Sequence, residues 1–119
     1  RDPLLGSIFE NMVVTEAVKA AANRGAAARL SFYRDKSGLE IDLIREYQRK
    51  PFAMEIKAGT TYVPDMVGPL RQFRTLHDDL AGTALIYGGD ERTTIDGTTV
   101  APYPDTAKVL FGEEDGSVV

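Results

Sequence analysis

No cysteine occurs in the 119 residues. Disulfides and thiolate zinc sites are therefore excluded, and the absence fits a cytoplasmic protein. No apolar run approaches the length needed to cross a bilayer, and no charged-then-apolar segment opens the chain as an export signal would. There is no internal repeat and no low-complexity linker. "IYGGD" (residues 86–90) lacks the Gly-Lys-Ser/Thr of a Walker A loop, so Gly88 and Gly89 read as a strand exit. The single histidine, His77, stands in "TLHDDL", where a surface or helix-terminal position suits it better than a catalytic one. An initiator Met is also missing. The start "RDPLLGS" reads as the beginning of a piece cut from a longer protein.

What is present suits one domain, residues 1–119, with a moderate core: 43% of residues are hydrophobic, too many for a disordered chain. The formal charge is −4, which argues against coating nucleic acid by bulk charge. The acidity is uneven. Residues 1–89 carry 12 Lys+Arg and 11 Asp+Glu, whereas residues 90–119 carry 2 and 7. The body is near neutral and can still present a local basic face.

Periodicity orders the chain as helix, three strands, helix, strand and hairpin. "GSIFENMVVTEAVKAAANRG" reads as the first helix, with Ser7 as N-cap, Glu10 at capping-box spacing and Asn23–Gly25 as the stop. "RLSFYRD", "LEIDLIRE" and "PFAMEIKA" read as three strands able to form an antiparallel meander through "KSG" and "YQRK". "MVGPLRQFRTLHDDL" reads as a helix with Val67, Leu70, Phe73 and Leu76 on its apolar stripe. Gly68 and Pro69 delay its start. "TALIYGG" is apolar enough for a central strand, returning parallel to the third by a crossover. Asp96–Gly97 marks a hairpin, and residues 112–119 read as a frayed tail. The expected class is α/β, with a mixed sheet flanked by helices.

Three charges interrupt the apolar runs: Asp42 in "LEIDLI", and Glu55 and Lys57 in "FAMEIK". Alternation puts Glu55 and Lys57 on one face and Phe52, Met54 and Ile56 on the other. On the preceding strand Glu40, Asp42 and Ile44 are expected to oppose Leu39, Ile41 and Leu43. If the strands pair, Asp42 lies beside Glu55. Two neighbouring carboxylates repel, and one tends to take a proton. A hard divalent cation, Mg²⁺ or Mn²⁺ in its place, would relieve that conflict. Lys57 would hold a water or stabilise charge on phosphate.

This acid-then-Glu-X-Lys pattern, after a helix bearing a Glu and before another helix, resembles the PD-(D/E)XK nuclease superfamily. The strings "LLGSIFENMVVTEAVK", "FYRDKSGLEIDLI" and "MEIKAG" look like the C-terminal domain of unknown function 4143, which follows an AAA+ ATPase core in many bacterial and archaeal proteins. The resemblance covers roughly residues 4 to 90. It implies a restriction-endonuclease-like core of order α-β-β-β-α-β, with Asp42 and Glu55 as metal ligands, Lys57 as the catalytic lysine, Glu10 as accessory acid and ligand, and Gln72 as an accessory residue. The superfamily's Pro-Asp is absent; Glu40–Ile41 precede Asp42. The function it implies is Mg²⁺-dependent hydrolysis of nucleic acid, DNA before RNA, alongside the ATPase part and away from the membrane.

Blander readings stand beside these. Glu-X-Lys occurs on many solvated strand faces. Glu10 has a competing role in the capping box, and Glu16 reads as solvated. Tyr33 reads as a packing residue, and Arg34, Asp35 and Lys36 as a solvated turn. Arg71 and Arg74 either face a nucleic-acid backbone or form the wet side of their helix. An inactive nuclease fold that docks partners or regulates the ATPase is the alternative function, favoured by the acidic C-terminal third, which would repel a phosphate backbone. Exposed strand edges leave homo-oligomeric pairing open.

Overall fold

The computed structural model describes residues 3–112, so most of the tail expected to fray, 113–119, lies outside the described residues. Helix α1 spans Pro3–Ala22, α2 Gly68–Leu76 and α3 Thr106–Phe111. The strands are β1 Arg29–Arg34, β2 Glu40–Tyr47, β3 Lys50–Lys57, β4 Gly82–Tyr87, β5 Thr93–Ile95 and β6 Thr98–Pro102. Among the described residues these six form one mixed sheet in the order β1-β2-β3-β4-β6-β5. The meander β1–β2–β3 is antiparallel, β4 returns parallel to β3, and β4 is an interior strand, as its apolar run predicts.

The β5–β6 hairpin turns at Asp96–Gly97, both in the left-handed region (φ 52° and 81°) that a two-residue primed turn demands. It is not a separate appendage: β6 pairs parallel with β4 and extends the sheet. The β2–β3 turn has the same form, built from Gln48 and Arg49 (φ 59° and 73°), residue types that announce no such turn.

The sheet divides the interior in two, where the composition suggested a single core. One apolar layer joins Leu39, Ile41, Ile44, Ala53, Leu85 and Val100 to Leu70 and Phe73 of α2. The other joins Leu43, Met54, Ile56, Ala84, Ile86 and Ala101 to Val13 and Ala17 of α1 and Leu110 of α3. This is the covering on both faces that a sheet with parallel strands requires.

Three helix readings need correction. Helix α1 begins at Pro3 rather than at Ser7. Proline suits a first helical turn, and Gly6 is tolerated within the helix, so Ser7 caps nothing. Helix α2 begins at Gly68, after a 3-10 turn at Pro64–Val67, as late as Gly68 and Pro69 suggest, but it ends at Leu76 rather than running on to Leu80. Leu76 is 56% exposed and leaves the expected stripe. Helix α3 is unanticipated. It is short, and its weak pattern, with Thr106 and Leu110 buried, is set by packing against β6 and α1 more than by propensity.

Candidate functional site

Asp42 is placed by an irregularity. The β1–β2 register passes from Ser31↔Ile44 to Tyr33↔Ile41, so two steps on β1 face three on β2. That extra residue is a β-bulge, which breaks alternation and turns a side chain to the other face. The grouping expected on β2 therefore fails: Ile44 joins Leu39 and Ile41 in one apolar layer, and Leu43 faces the other. The β2–β3 ladder runs from Tyr47↔Lys50 to Leu43↔Met54. Beyond it the Asp42 side chain replaces a backbone acceptor, its Oδ2 receiving the Ile56 N–H at 2.8 Å.

Glu55 lies next to Met54 at the end of that ladder. It is 2% exposed, deep for a carboxyl group. Burial, and then the Asp42 carboxylate within hydrogen-bonding reach, push its pKa up to about 9, while Lys57 and the Asp42 main chain pull weakly the other way. At neutral pH Glu55 therefore carries a proton and Asp42 accepts it. Sequence alternation anticipates the juxtaposition of two acids, and the conflict is settled by protonation.

Glu10 reaches the same group from α1. With the helix starting at Pro3, its capping-box reading is lost. Its pKa is raised by partial burial first and the Asp42 charge second, with Lys57 opposing. Glu10 and Asp42 line a pocket with Phe32, Tyr33, Arg34, Glu40 and Ile41; Glu55 and Lys57 are outside that lining. Lys57 is exposed at the strand end. Just beyond it the chains following β3 and β4 touch. Gly88 N–H donates to the Gly59 carbonyl at 2.9 Å, and a Cβ on Gly88 would lie 2.1 Å from the Ala58 carbonyl oxygen. Glycine at 88 is thus a close-approach requirement as well as a strand exit. It fixes the exit of the strand that carries Glu55 and Lys57.

The arrangement therefore gathers Glu10, Asp42, Glu55 and Lys57 into one electrostatic group. It does not close three carboxylates into a cage: among the described residues no group of three or more His, Cys, Asp or Glu side chains is disposed to hold a metal ion. The donors are all oxygen, which is the chemistry a hard cation takes. Two of them, Asp42 and Glu55, are close enough for the Asp42 charge to raise the pKa of Glu55. Gln72 is exposed on α2, where its main-chain carbonyl accepts from Thr75 Oγ1, and it does not line the pocket.

Other polar residues have structural work that spacing alone did not reveal. Arg74 is neither wet nor free: its guanidinium donates to the Asp96 carbonyl at 3.0 Å, to Thr98 Oγ1 at 3.3 Å and to Thr83 Oγ1. It ties α2 to the hairpin turn and the two buried threonines. Arg71 adds an exposed ion pair to Asp96 at 3.5 Å. Asp35 orders its turn, accepting from Ser37 N and Leu39 N through Oδ1 and from the Tyr33 hydroxyl through Oδ2. "DKSG" carried that signal, since Asp commonly bonds its own backbone two residues on. Tyr33 packs edge-on against Phe73 at 4.8 Å, and His77 ends α2 with its ring against Phe73.

Among known proteins, no curated sequence and no solved structure matches the chain significantly. A family model described as "Domain of unknown function (DUF4143)" matches residues 5–106. That span takes in the bulged strand, the paired acids, the lysine and the hairpin, and reaches past the roughly 4-to-90 extent that the sequence strings suggest. The chain belongs to the DUF4143 family.

Proposed function

We propose that this domain is a metal-dependent phosphodiesterase of the PD-(D/E)XK type, with a restriction-endonuclease-like core, that hydrolyses nucleic acid, DNA before RNA, and works with an attached AAA+ ATPase. The observation that carries the reading is the Asp42–Glu55 pair. A buried Glu held protonated against an Asp, with a lysine two residues along, is an unfavourable arrangement for structure alone. It becomes favourable when a divalent cation takes the place of the proton.

Asp42 and Glu55 would hold Mg²⁺ or Mn²⁺, and Glu10 would act on the cation from α1 through a bound water, since the three carboxylates do not close into one cage. The cation would supply charge neutralisation at the scissile phosphate. Lys57, exposed at the strand end, would orient the attacking water and balance charge on the phosphate. Asp42 would keep its bond to the Ile56 amide with one oxygen and offer the other.

The test is a nuclease assay of the full-length protein in Mg²⁺ on duplex, branched and single-stranded substrates. Cleavage should fall by about 10²-fold or more in Lys57→Ala and in Asp42→Asn. Cleavage unchanged in both variants would remove the assignment.

A second reading keeps the fold and drops turnover: a module that docks a partner or regulates the ATPase. It is favoured by an exposed apolar run on α1, where Leu5, Ile8, Met12 and Val18 are 61%, 47%, 40% and 52% exposed. A full-length protein that cuts nothing but changes its ATPase rate when Ile8 and Met12 become Ser would select this reading.

A further inference from the structure

Strands β2 and β3 carry the acids at one end; their hairpin end carries the opposite charge. Arg45, two residues before the end of β2, is 6% exposed, nine-tenths buried or more. Its Nε is a buried nitrogen with no hydrogen-bond partner among the described residues. Its guanidinium lies 5.1 Å from the Phe52 ring, 5.5 Å from Phe111 and 5.9 Å from Tyr47. Burial lowers its pKa, and the neighbour opposing that is the Tyr47 hydroxyl; among the described residues no carboxylate contributes. Guanidinium nevertheless keeps its charge in proteins. A buried cation with no counter-ion among the described residues is costly, and ring faces offset only part of that cost.

The same side chain lines a pocket of about 310 Å³ with Tyr47, Lys50, Phe52, Val109 and Phe111 among its walls. Lys50, also in the lining, is exposed and paired with Asp79 at 3.4 Å, so its charge is largely met at the surface. The guanidinium of Arg24 also lies over the Phe111 ring, at 4.7 Å. The pocket thus sets the guanidinium of Arg45 among flat apolar and aromatic walls. A carboxylate matches the guanidinium fork with two parallel bonds. The apolar walls distinguish an organic anion from inorganic phosphate, whose surface is polar all round.

The geometry points to a binding site for a small organic carboxylate, its acid group forked on Arg45 and its apolar body against Phe52, Phe111 and Val109. The site is independent of the acid cluster and stands or falls apart from any nuclease activity.

The test is NMR of the ¹⁵N-labelled full chain, following the Arg45 Nε–Hε signal, which is assigned by its loss in Arg45→Lys. Benzoate should shift this signal and the amides of Tyr47, Phe52 and Phe111 along one saturating curve. Acetate and inorganic phosphate should bind about tenfold more weakly or worse, lacking the apolar body. Arg45→Lys keeps charge but loses the fork, and should weaken benzoate about tenfold. Should that variant not fold, Val109→Asp, at a half-buried wall position, places a like charge against the ligand and should weaken it comparably. A linear, unsaturating response matching that of exposed Arg29 would overturn the proposal, and so would benzoate binding undiminished in Val109→Asp. A third arm addresses the acids that follow Gly112 in the sequence. If Glu113→Gln, Glu114→Gln and Asp115→Asn together move the Arg45 signal before any ligand is added, the carboxylate is the chain's own and the free-ligand site is overturned. An unmoved signal supports it.

Discussion

At Glu55 a carboxyl group in the sheet keeps its proton far above the ordinary carboxylate range, and stability must answer to that. In the unfolded chain the group ionises near 4.5; in the folded chain it does so at about 9, through burial and the Asp42 charge. Between these values the unfolded state binds fewer protons than the folded state. Stability is therefore fully present below about pH 4.5 and declines as pH rises towards 9, by up to about 1.4 kcal/mol per unit from this group. Glu55→Gln copies the protonated side chain without its titration. Melting curves from pH 5 to 9 should fall for the native chain and flatten for the variant, which should be the more stable of the two at pH 8. Equal slopes would show that Glu55 is ionised in the fold. The pairing itself could be read from the sequence, because one turn fixes which residues oppose. The β2 bulge could not, since nothing in "LEIDLI" distinguishes a bulged strand from a regular one.

Among the elements, those with strong local signals were recoverable and those decided by tertiary contacts were not. The Asp96–Gly97 hairpin, the apolar β4 and the delayed start of α2 follow from turn chemistry and periodicity. The Gln48–Arg49 turn, the reach of α1 back to Pro3 and the whole of α3 do not: Gln48 and Arg49 are not the residue types of a primed turn, the exposed first turn of α1 has no polar cap to announce it, and α3 is set by packing against α1 and β6. The first of these predicts a gain. Both turn residues hold positive φ without being Gly or Asn, a conformation costing roughly 1 kcal/mol per L-residue. Arg49→Gly should therefore stabilise the domain by about 1 kcal/mol in denaturant titrations; a loss would mean that the Arg49 side chain carries weight of its own. Arg74 predicts a loss. Removing it leaves the Asp96 carbonyl and the Thr83–Thr98 hydroxyl pair, 2.8 Å apart, without their donor. Arg74→Ala should cost about 2–3 kcal/mol, and Arg74→Lys should recover little, because one ammonium nitrogen cannot stand in the two places from which Nη1 and Nη2 reach their acceptors. Amide exchange in β5 and β6 should rise in parallel. Protection unchanged in that hairpin would show that β6 is held by β4 alone.

Over the described residues the charge pattern is polar along β2 and β3: acids at one strand end, a buried guanidinium at the other, and an apolar layer on each face of the sheet. The acid end coincides with the carboxyl ends of the parallel strands β3 and β4, the end at which open α/β sheets generally bind ligands. A cation seated between Asp42 and Glu55 has to displace the Glu55 proton, so binding and proton release are linked. The decisive measurement is calorimetric titration of the full chain with Mn²⁺ at pH 7.5, in two buffers of different ionisation enthalpy. One saturable site releasing about one proton per cation, abolished in Asp42→Asn and in Glu55→Gln, is the expected result. An absence of binding at millimolar Mn²⁺, or binding that releases no proton and persists in both variants, would show that the paired acids are not a cation site.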